Sequence, residues 1–290
     1  ILNGAGVVLS EGAIDASKAL AERLDAAVCV GYQHNDAFPG SHPLFAGPLG
    51  YNGSKAAMEL ITDADVVLCL GTRLNPFSTL PGYGIDYWPK DAKIIQVDIN
   101  PDRIGLTKKV SVGIIGDASL VASKILSKLS DTAGDFNRTE RKQKIAEIKS
   151  RWAQQLSSMD HEEDDSGTTW NQRARADKPD WMSPRKAWRA IQAALPKEAI
   201  ISSDIGNNCA IGNAYPTFEE TRKYLAPKCS ISIDGISLTV NRVLKDSFNI
   251  SIIPYTWENT SLKNSKIGDM FNIEIDMLAR YVHRALKNEK

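Results

Sequence analysis

The sequence runs to 290 residues, about two domains at roughly 150 residues each, and 42% hydrophobic with 24% charged residues is globular composition that excludes a disordered chain. Lys plus Arg and Asp plus Glu are 35 each, so a global basic field for nucleic acid or an anionic membrane is unsupported. No apolar run reaches the roughly 18 residues that a membrane-spanning helix needs.

The opening Ile1-Leu2-Asn3-Gly4 has neither an initiator Met nor the charged-then-apolar plan of a signal peptide, and reads as a strand already under way. Gly4-Ala5-Gly6 follows it, but a lone GxG without the third glycine is weak evidence for a nucleotide loop. An Ala-rich amphipathic stretch over 14–24 predicts a helix, and the short apolar run 27–31 a strand. Next comes a Gly/Pro-rich loop containing Pro39-Gly40-Ser41-His42-Pro43, and then a helix over 53–61. Residues 65–71 are apolar throughout rather than alternating, which predicts a strand buried on both faces; 93–98 and 110–115 are read the same way. Residues 117–129 read as a helix with Asp117 as its cap. Buried strands alternating with helices imply a parallel α/β sheet over 1–130.

Residues 131–182 are charged and polar, and read as a linker or surface excursion containing one helical stretch over 138–156. Its run His161-Glu162-Glu163-Asp164-Asp165 is read as a solvated face rather than a metal site. A second α/β unit starts at Ser183-Pro184, a cap followed by proline at the first helical position, and extends to 227. Its helix runs to Leu195, a strand covers 199–203, and Asp204-Ile205-Gly206-Asn207-Asn208 opens a new helix. Beyond that the composition shifts: 28 alanines fall in 1–227 and only 2 in 228–290. The tail reads as period-two strands over 230–233, 238–240, 248–253 and 270–275, with turns at Asp234-Gly235 and Ile267-Gly268-Asp269 and a final helix near 278–287. The four cysteines are scattered with no CxxC pair, so zinc-ribbon and redox motifs are excluded. Cys29 and Cys69 sit in apolar runs as buried thiols, and a reducing cytoplasm is the simplest compartment.

Five motifs carry a first resemblance. They are Tyr32-Gln33-His34-Asn35-Asp36, Gly47-Pro48-Leu49-Gly50-Tyr51-Asn52-Gly53-Ser54-Lys55, Leu70-Gly71-Thr72-Arg73-Leu74-Asn75-Pro76-Phe77, Gln96-Val97-Asp98-Ile99-Asn100-Pro101 and Ser203-Asp204-Ile205-Gly206-Asn207-Asn208. On these, residues 1–226 resemble the sulfoacetaldehyde acetyltransferases, thiamine-diphosphate enzymes related to acetolactate synthase. The resemblance implies a Rossmann-like central domain over 1–130 and the truncated start of a diphosphate-binding domain over 183–227. It further implies a reaction of sulfoacetaldehyde with phosphate that yields acetyl phosphate and sulfite. Thiamine diphosphate and magnesium come with the family. The carboxylate that faces the cofactor's aminopyrimidine belongs to a preceding domain, and the family's Gly-Asp-Gly magnesium motif is absent from this sequence, so no metal ligand is assigned. Gly206, Asn207 and Asn208 are implied near the diphosphate; an ordinary Asn-capped turn is the alternative. Some relatives bind FAD or ADP on the central domain near positions matching Gly53, Gly71, Arg73 and Asp98, and in others that site is empty. Arg73 is the best anion contact because a guanidinium can pair with phosphate bidentately, and a surface ion pair is the competing reading. His34 and His42 lie in a loop that could face an active site, without a visible base or nucleophile partner.

The run Lys228-Cys229-Ser230-Ile231-Ser232-Ile233-Asp234-Gly235-Ile236-Ser237-Leu238-Thr239-Val240-Asn241 carries a second resemblance, to the lumazine-binding domain of riboflavin synthases, and Ile253-Pro254-Tyr255-Thr256 and Asn272-Ile273-Glu274-Ile275-Asp276 keep its spacing. It implies a partial antiparallel β-barrel over 228–290 with Ser237 and Asp276 as catalytic positions. Lys228, Thr239, Ile253 and Thr256 then stand around a flat heterocycle in a cofactor-free reaction. Without the resemblance, Ser237 and Thr239 are merely an i, i+2 strand pair and Thr256 a turn residue. Both likenesses stop mid-domain at Lys223-Tyr224-Leu225-Ala226-Pro227, a stretch that suits either family, which reads as a join of two unrelated sequences. The overall expectation is therefore a fragment of an acetyltransferase without activity as this chain, with small-molecule substrates and no nucleic-acid or membrane partner. Both parent families are homo-oligomers. The alternatives are a riboflavin synthase acting through the tail and a non-catalytic nucleotide-binding module over 1–130.

Overall fold

The computed structural model describes residues 1–50, 53–129, 138–160, 184–196, 199–202, 230–244, 246–252 and 254–275, with positions 212, 215, 217–220 and 223–225. It divides into two compact units, 1–201 with 210–225, and 202–209 with 226–290.

The first unit is built on six parallel strands: β1 (Leu2–Asn3), β2 (Val28–Val30), β3 (Phe45–Pro48), β4 (Val66–Leu70), β5 (Lys93–Asp98) and β6 (Val112–Ile115). They lie in the order β3-β2-β1-β4-β5-β6. The expected parallel α/β sheet is therefore present, and its order reverses between β1 and β4, where Leu2 is in register with Cys29 on one side and Cys69 on the other. Helices α1 (Ala5–Leu9) and α2 (Ala13–Leu24) lie between β1 and β2, α3 (Lys55–Thr62) between β3 and β4, and α4 (Ala118–Lys128) follows β6. The continuous apolar runs follow from burial on two faces. In β4, Val67 and Cys69 pack with Met58 and Ile61 of α3, whereas Leu68 and Leu70 pack with Leu20 of α2 and Ala122 of α4.

Side-chain caps mark the start of α3 and α4. Ser54 Oγ accepts from Ala57 N at 3.3 Å at the start of α3. Asp117 Oδ1 accepts from Ser119 N at 2.9 Å and Leu120 N at 3.1 Å, the capping role read from the sequence. Cys29 and Cys69 are buried and free, as expected.

Three features depart from the sequence reading. Residues 110–115 were expected to be buried on both faces, but β6 is the sheet's edge, paired to β5 alone, and Val112 and Ile115 are 49% and 65% exposed. The Gly/Pro-rich loop contains β3, which tolerates Pro48 because an edge strand need not offer every N–H. The polar stretch after 130 contains α5 (Arg138–Asp160), whose Ile145 and Ile148 are buried against the first unit. Lys142 pairs with Asp25 at 2.8 Å and Lys144 with Asp63 at 2.7 Å; Arg151 pairs with Glu59. Helix α6 (Pro184–Ala194) starts at the expected proline, and β7 (Ile201–Ser202) pairs with β8 (Tyr224–Leu225).

The second unit is an antiparallel sheet of β9 (Ser230–Ile233), β10 (Ile236–Val243), β11 (Phe248–Ser251) and β12 (Ile273–Ile275), ordered β11-β10-β9-β12. The turn read at Asp234-Gly235 is present, with both residues left-handed at φ 47° and 79°. Asp234 Oδ1 accepts from Asn272 N at 2.8 Å and ties that turn to the start of β12. Ile233, Leu238 and Leu262 form the core of this sheet among the described residues. Among the described residues the sheet is open, with β11 and β12 as its outer strands, so the antiparallel strands of the expected partial barrel are present and its barrel curvature is not confirmed. A short helix, α7 (Pro254–Asn259), replaces the turn read at Thr256. The final helix read near 278–287 lies outside the described residues.

Candidate functional site

Ligands of open parallel sheets bind beyond the carboxyl ends of the strands, where the strand order reverses. In the first unit that place is a cavity of about 430 Å³ above β1, β2, β4 and β5, lined by Gly6, Tyr32, His34, Gly71, Arg73, Asp98, Arg103 and Asp117, among others. A larger cavity of about 580 Å³ opens among Ile1, Ala27 and Val66, at the opposite ends of the strands, and contains none of the expected site residues.

The floor of the crevice is bare backbone. Gly6 N donates to Gly71 O at 2.8 Å, and Gly71 N to Val97 O at 2.9 Å. A Cβ on Gly71 would lie 2.5 Å from Gly6 Cα, and its φ is +58°, so glycine is required there for both packing and conformation. Gly6, from the motif read as weak, therefore has a structural reason: the turn after β1 must touch the turn after β4.

Arg73 and Arg103 bring positive charge from the loops after β4 and β5. Asp98, 4% exposed at the end of β5, accepts from Asn100 N at 2.9 Å through Oδ1. Asp117 already occupies the N-terminus of α4 and accepts from Ser10 Oγ at 2.9 Å. Partial burial pushes its carboxyl upward, but bonds from Leu120 N, Ser10 Oγ and Ser119 N outweigh that and hold it below the usual carboxylate range. An incoming anion thus finds the Ser119 and Leu120 N–H groups of α4 taken and meets Arg73 and Arg103 as cationic groups lining the crevice. His34 is pushed down to about 4 by burial and then by the Arg73 charge, so it is a neutral imidazole at pH 7. Tyr32 stacks on Phe77 with ring centres 5.8 Å apart and gives the crevice an aromatic wall.

Of the central-domain positions singled out in the sequence, Gly71, Arg73 and Asp98 come together in this crevice and Gly53 does not line it. A Cβ on Gly53 would lie 2.3 Å from Pro48 O, so its lack of a side chain serves the turn before α3. His42 is also outside, with Nε2 3.1 Å from Glu22 Oε1. Gly206, Asn207 and Asn208 lie outside the described residues, as do Lys228, Ile253 and Asp276. Ser237 and Thr239 stand two apart on β10, in register with Ser232 and Ser230. Thr256 is in α7, where its carbonyl accepts from Thr260 Oγ1 at 2.7 Å. Among the described residues no three His, Cys, Asp or Glu side chains are grouped to hold a metal ion.

Sequence reading missed Arg103 and Gln96. Gln96 is 1% exposed in an otherwise apolar strand, and its Nε2 donates to Thr72 O at 3.0 Å and Arg103 O at 3.1 Å. A polar residue interrupting a buried apolar run was the available signal, since burying an amide is costly unless it is hydrogen-bonded.

Residues 1–125 match the family model of the thiamine pyrophosphate enzyme central domain, and residues 197–276 that of the lumazine-binding domain. The chain is 82% identical over 227 residues to a sulfoacetaldehyde acetyltransferase of Roseovarius nubinhibens and 76% identical over 227 residues to that of Rhodobacter capsulatus. These alignments cover 78% of this chain and 38% of each relative, so the chain spans well under half the length of the acetyltransferases it matches. A riboflavin synthase of Photobacterium phosphoreum is 44% identical over 71 residues, covering 24% of this chain and 33% of the relative. By sequence, and with a fold consistent with it, the N-terminal part of the chain matches the central domain of the thiamine pyrophosphate enzyme family on a stretch closely similar to sulfoacetaldehyde acetyltransferases, and the C-terminal part matches the lumazine-binding domain.

Proposed function

We propose that residues 1–227 are a segment of a thiamine-diphosphate-dependent acetyltransferase converting sulfoacetaldehyde and phosphate to acetyl phosphate and sulfite, and that the crevice is its site for an adenine nucleotide, ADP or the ADP part of FAD. The identity of 82% over 227 residues carries the first half of this reading. The crevice supports the second: about 430 Å³ suits a small ligand, the Gly6–Gly71 floor allows backbone approach, and Arg73 and Arg103 supply charge for phosphate. Asp98 and Tyr32 also line the crevice, and the proposed roles are for Asp98 to accept from a ribose hydroxyl and for Tyr32 to flank a flat ring.

Thiamine diphosphate use comes with the family, but the positions implied near its diphosphate, Gly206, Asn207 and Asn208, lie outside the described residues, and magnesium is given no ligand. No metal-holding group of acidic or imidazole side chains is found among the described residues, and the sequence has no Gly-Asp-Gly motif. No catalytic step is therefore assigned to them, and the proposed role of residues 1–130 in this chain is nucleotide binding without turnover. Calorimetric titration with ADP and FAD tests it: binding to the intact chain but not to an Arg73→Ala variant is expected, and no heat with either nucleotide would sink the reading. Incubation with thiamine diphosphate, magnesium, phosphate and sulfoacetaldehyde is expected to release no sulfite.

The tail supports a second reading. The Ser230–Ile233 and Ile236–Val243 hairpin is formed, and it carries Ser237 and Thr239 of the lumazine-binding signature. It is proposed as part of a riboflavin synthase domain, inactive here; riboflavin formed from 6,7-dimethyl-8-ribityllumazine would overturn that. The match to the lumazine-binding model begins at residue 197, inside the stretch similar to the acetyltransferases, so the two likenesses overlap before the tail begins. We place that join near 223–228, with domains at 1–130, 183–227 and 228–290; within the stretch 131–182 read as a linker, α5 packs as part of the first unit. Reading the gene across the join on one long molecule tests the assignment. A reducing cytoplasm, small-molecule substrates and assembly with further copies complete the proposal; the two free buried thiols suit the first of these.

A further inference from the structure

We propose that Gln96 is a positioning residue that clips together the loops carrying Arg73 and Arg103, presenting the two guanidinium groups to the crevice as a preset clamp for a diphosphate. The inference rests on the nucleotide reading of the crevice and adds to it how the site is held and which part of the ligand it grips.

Gln96 spends its whole amide on two loops. Nε2 donates to Thr72 O, the carbonyl just before Arg73, at 3.0 Å and to the carbonyl of Arg103 itself at 3.1 Å. Oε1 accepts from Gly105 N at 2.8 Å. The orientation of the amide follows from its partners, because carbonyls only accept and a backbone N–H only donates. An apolar side chain would have suited this strand, whose neighbours are Ile94, Ile95 and Val97. The polar one is satisfied solely by the turns after β4 and β5.

Thr107 joins the same loops, its Oγ1 donating to Leu74 O at 2.8 Å and lying 3.3 Å from Arg73 O. Between these ties Leu74 holds a left-handed φ of 53° with its side chain fully buried, and its N–H donates to Thr72 Oγ1 at 3.1 Å. A non-glycine residue is kept in that region only where its surroundings fix it. Arg73 therefore projects from a turn fastened at residues 72, 73 and 74, and Arg103 from a turn fastened at its own carbonyl and at Gly105. With the α4 N-terminus capped by Asp117, two guanidinium groups on separately anchored turns remain to meet an anion, which matches two linked phosphates better than one.

The test uses the full chain with Gln96→Leu, Thr107→Val and Thr107→Ser. Thr107 is exposed, so its variants keep the question open to test even if Gln96→Leu folds poorly. Calorimetry with ADP and with adenosine separates the phosphate contribution from ring binding. Gln96→Leu and Thr107→Val are expected to weaken ADP about ten-fold while leaving adenosine within about two-fold, and Thr107→Ser to restore ADP. Hydrogen exchange without ligand is expected to quicken together at 71–75 and 103–107 in Gln96→Leu. Equal loss of ADP and adenosine, ADP bound alike by all variants, or quickening in one loop alone overturns the clip. If the unsubstituted chain binds no ADP, the crevice reading and the clamp's ligand fall together, which is distinguishable from ADP bound alike by all variants.

Discussion

Gly71 shows how much a single position can decide. Its φ of +58° and the 2.5 Å that a Cβ would leave to Gly6 Cα make two independent demands for glycine. Gly71→Ala is expected to destabilise the first unit by about 3 kcal/mol or more, since neither backbone can retreat without parting β1 from β4. A urea titration followed by circular dichroism reads this out; a loss below about 1 kcal/mol would contradict it. His34 makes a prediction of the other kind. Its folded pKa is lowered to about 4 from 6.5, so the folded state holds the neutral ring and binds fewer protons than the unfolded chain below pH 6.5. The His34 contribution is thus complete above pH 6.5 and is lost as pH falls towards 4, by at most about 3 kcal/mol. Replacing His34 with Asn should flatten the stability profile in that window and leave it unchanged at pH 8. An unaltered slope would show that the imidazole is not desolvated.

At the scale of elements, helix ends were readable because caps are local chemistry. Asp117 stands immediately before α4, and its carboxylate does what the sequence implies. Asp117→Ala is expected to cost about 1 kcal/mol of stability at pH 7. With the carboxyl held below its usual range, the benefit of Asp117 persists above the unfolded value of 3.8 and disappears as pH falls through the folded one, so wild type and variant should converge in acid. A gap unchanged at pH 2 would refute the cap's contribution. Strand β6 is the counter-example. Val112-Gly113-Ile114-Ile115 has the same apolar grammar as β4, yet it stands at the sheet's edge. An apolar run encodes strand formation; how many neighbours a strand receives is settled by the order in which the strands assemble. Helix α5 was readable as a helix but not as part of a core, because two buried isoleucines within a charged helix give little amphipathic signal.

For the molecule as a whole, the two units differ in the size of their cores. The first encloses both faces of a six-stranded sheet. The second, among the described residues, centres on Ile233, Leu238 and Leu262 with unpaired outer strands. Brief digestion by a nonspecific protease is expected to remove the C-terminal unit first and leave a fragment ending near residue 225, identifiable by intact mass. Equal survival of both units would show that the smaller core is more stable than its burial suggests.

The amino-acid order alone determined the parallel α/β class, the Asp117 cap, the buried thiols Cys29 and Cys69, the turn at Asp234-Gly235 and the change of grammar near residue 227. All of these depend on neighbours a few residues apart: periodicity, capping and turn preference act over short separations. Tertiary structure decided which glycines touch and which strand became an edge. It also decided that Gly71, Arg73 and Asp98 share a crevice without Gly53, and that Gln96 links two loops. Those contacts join residues on separate strand ends, and strand order brings them together only after the sheet has formed.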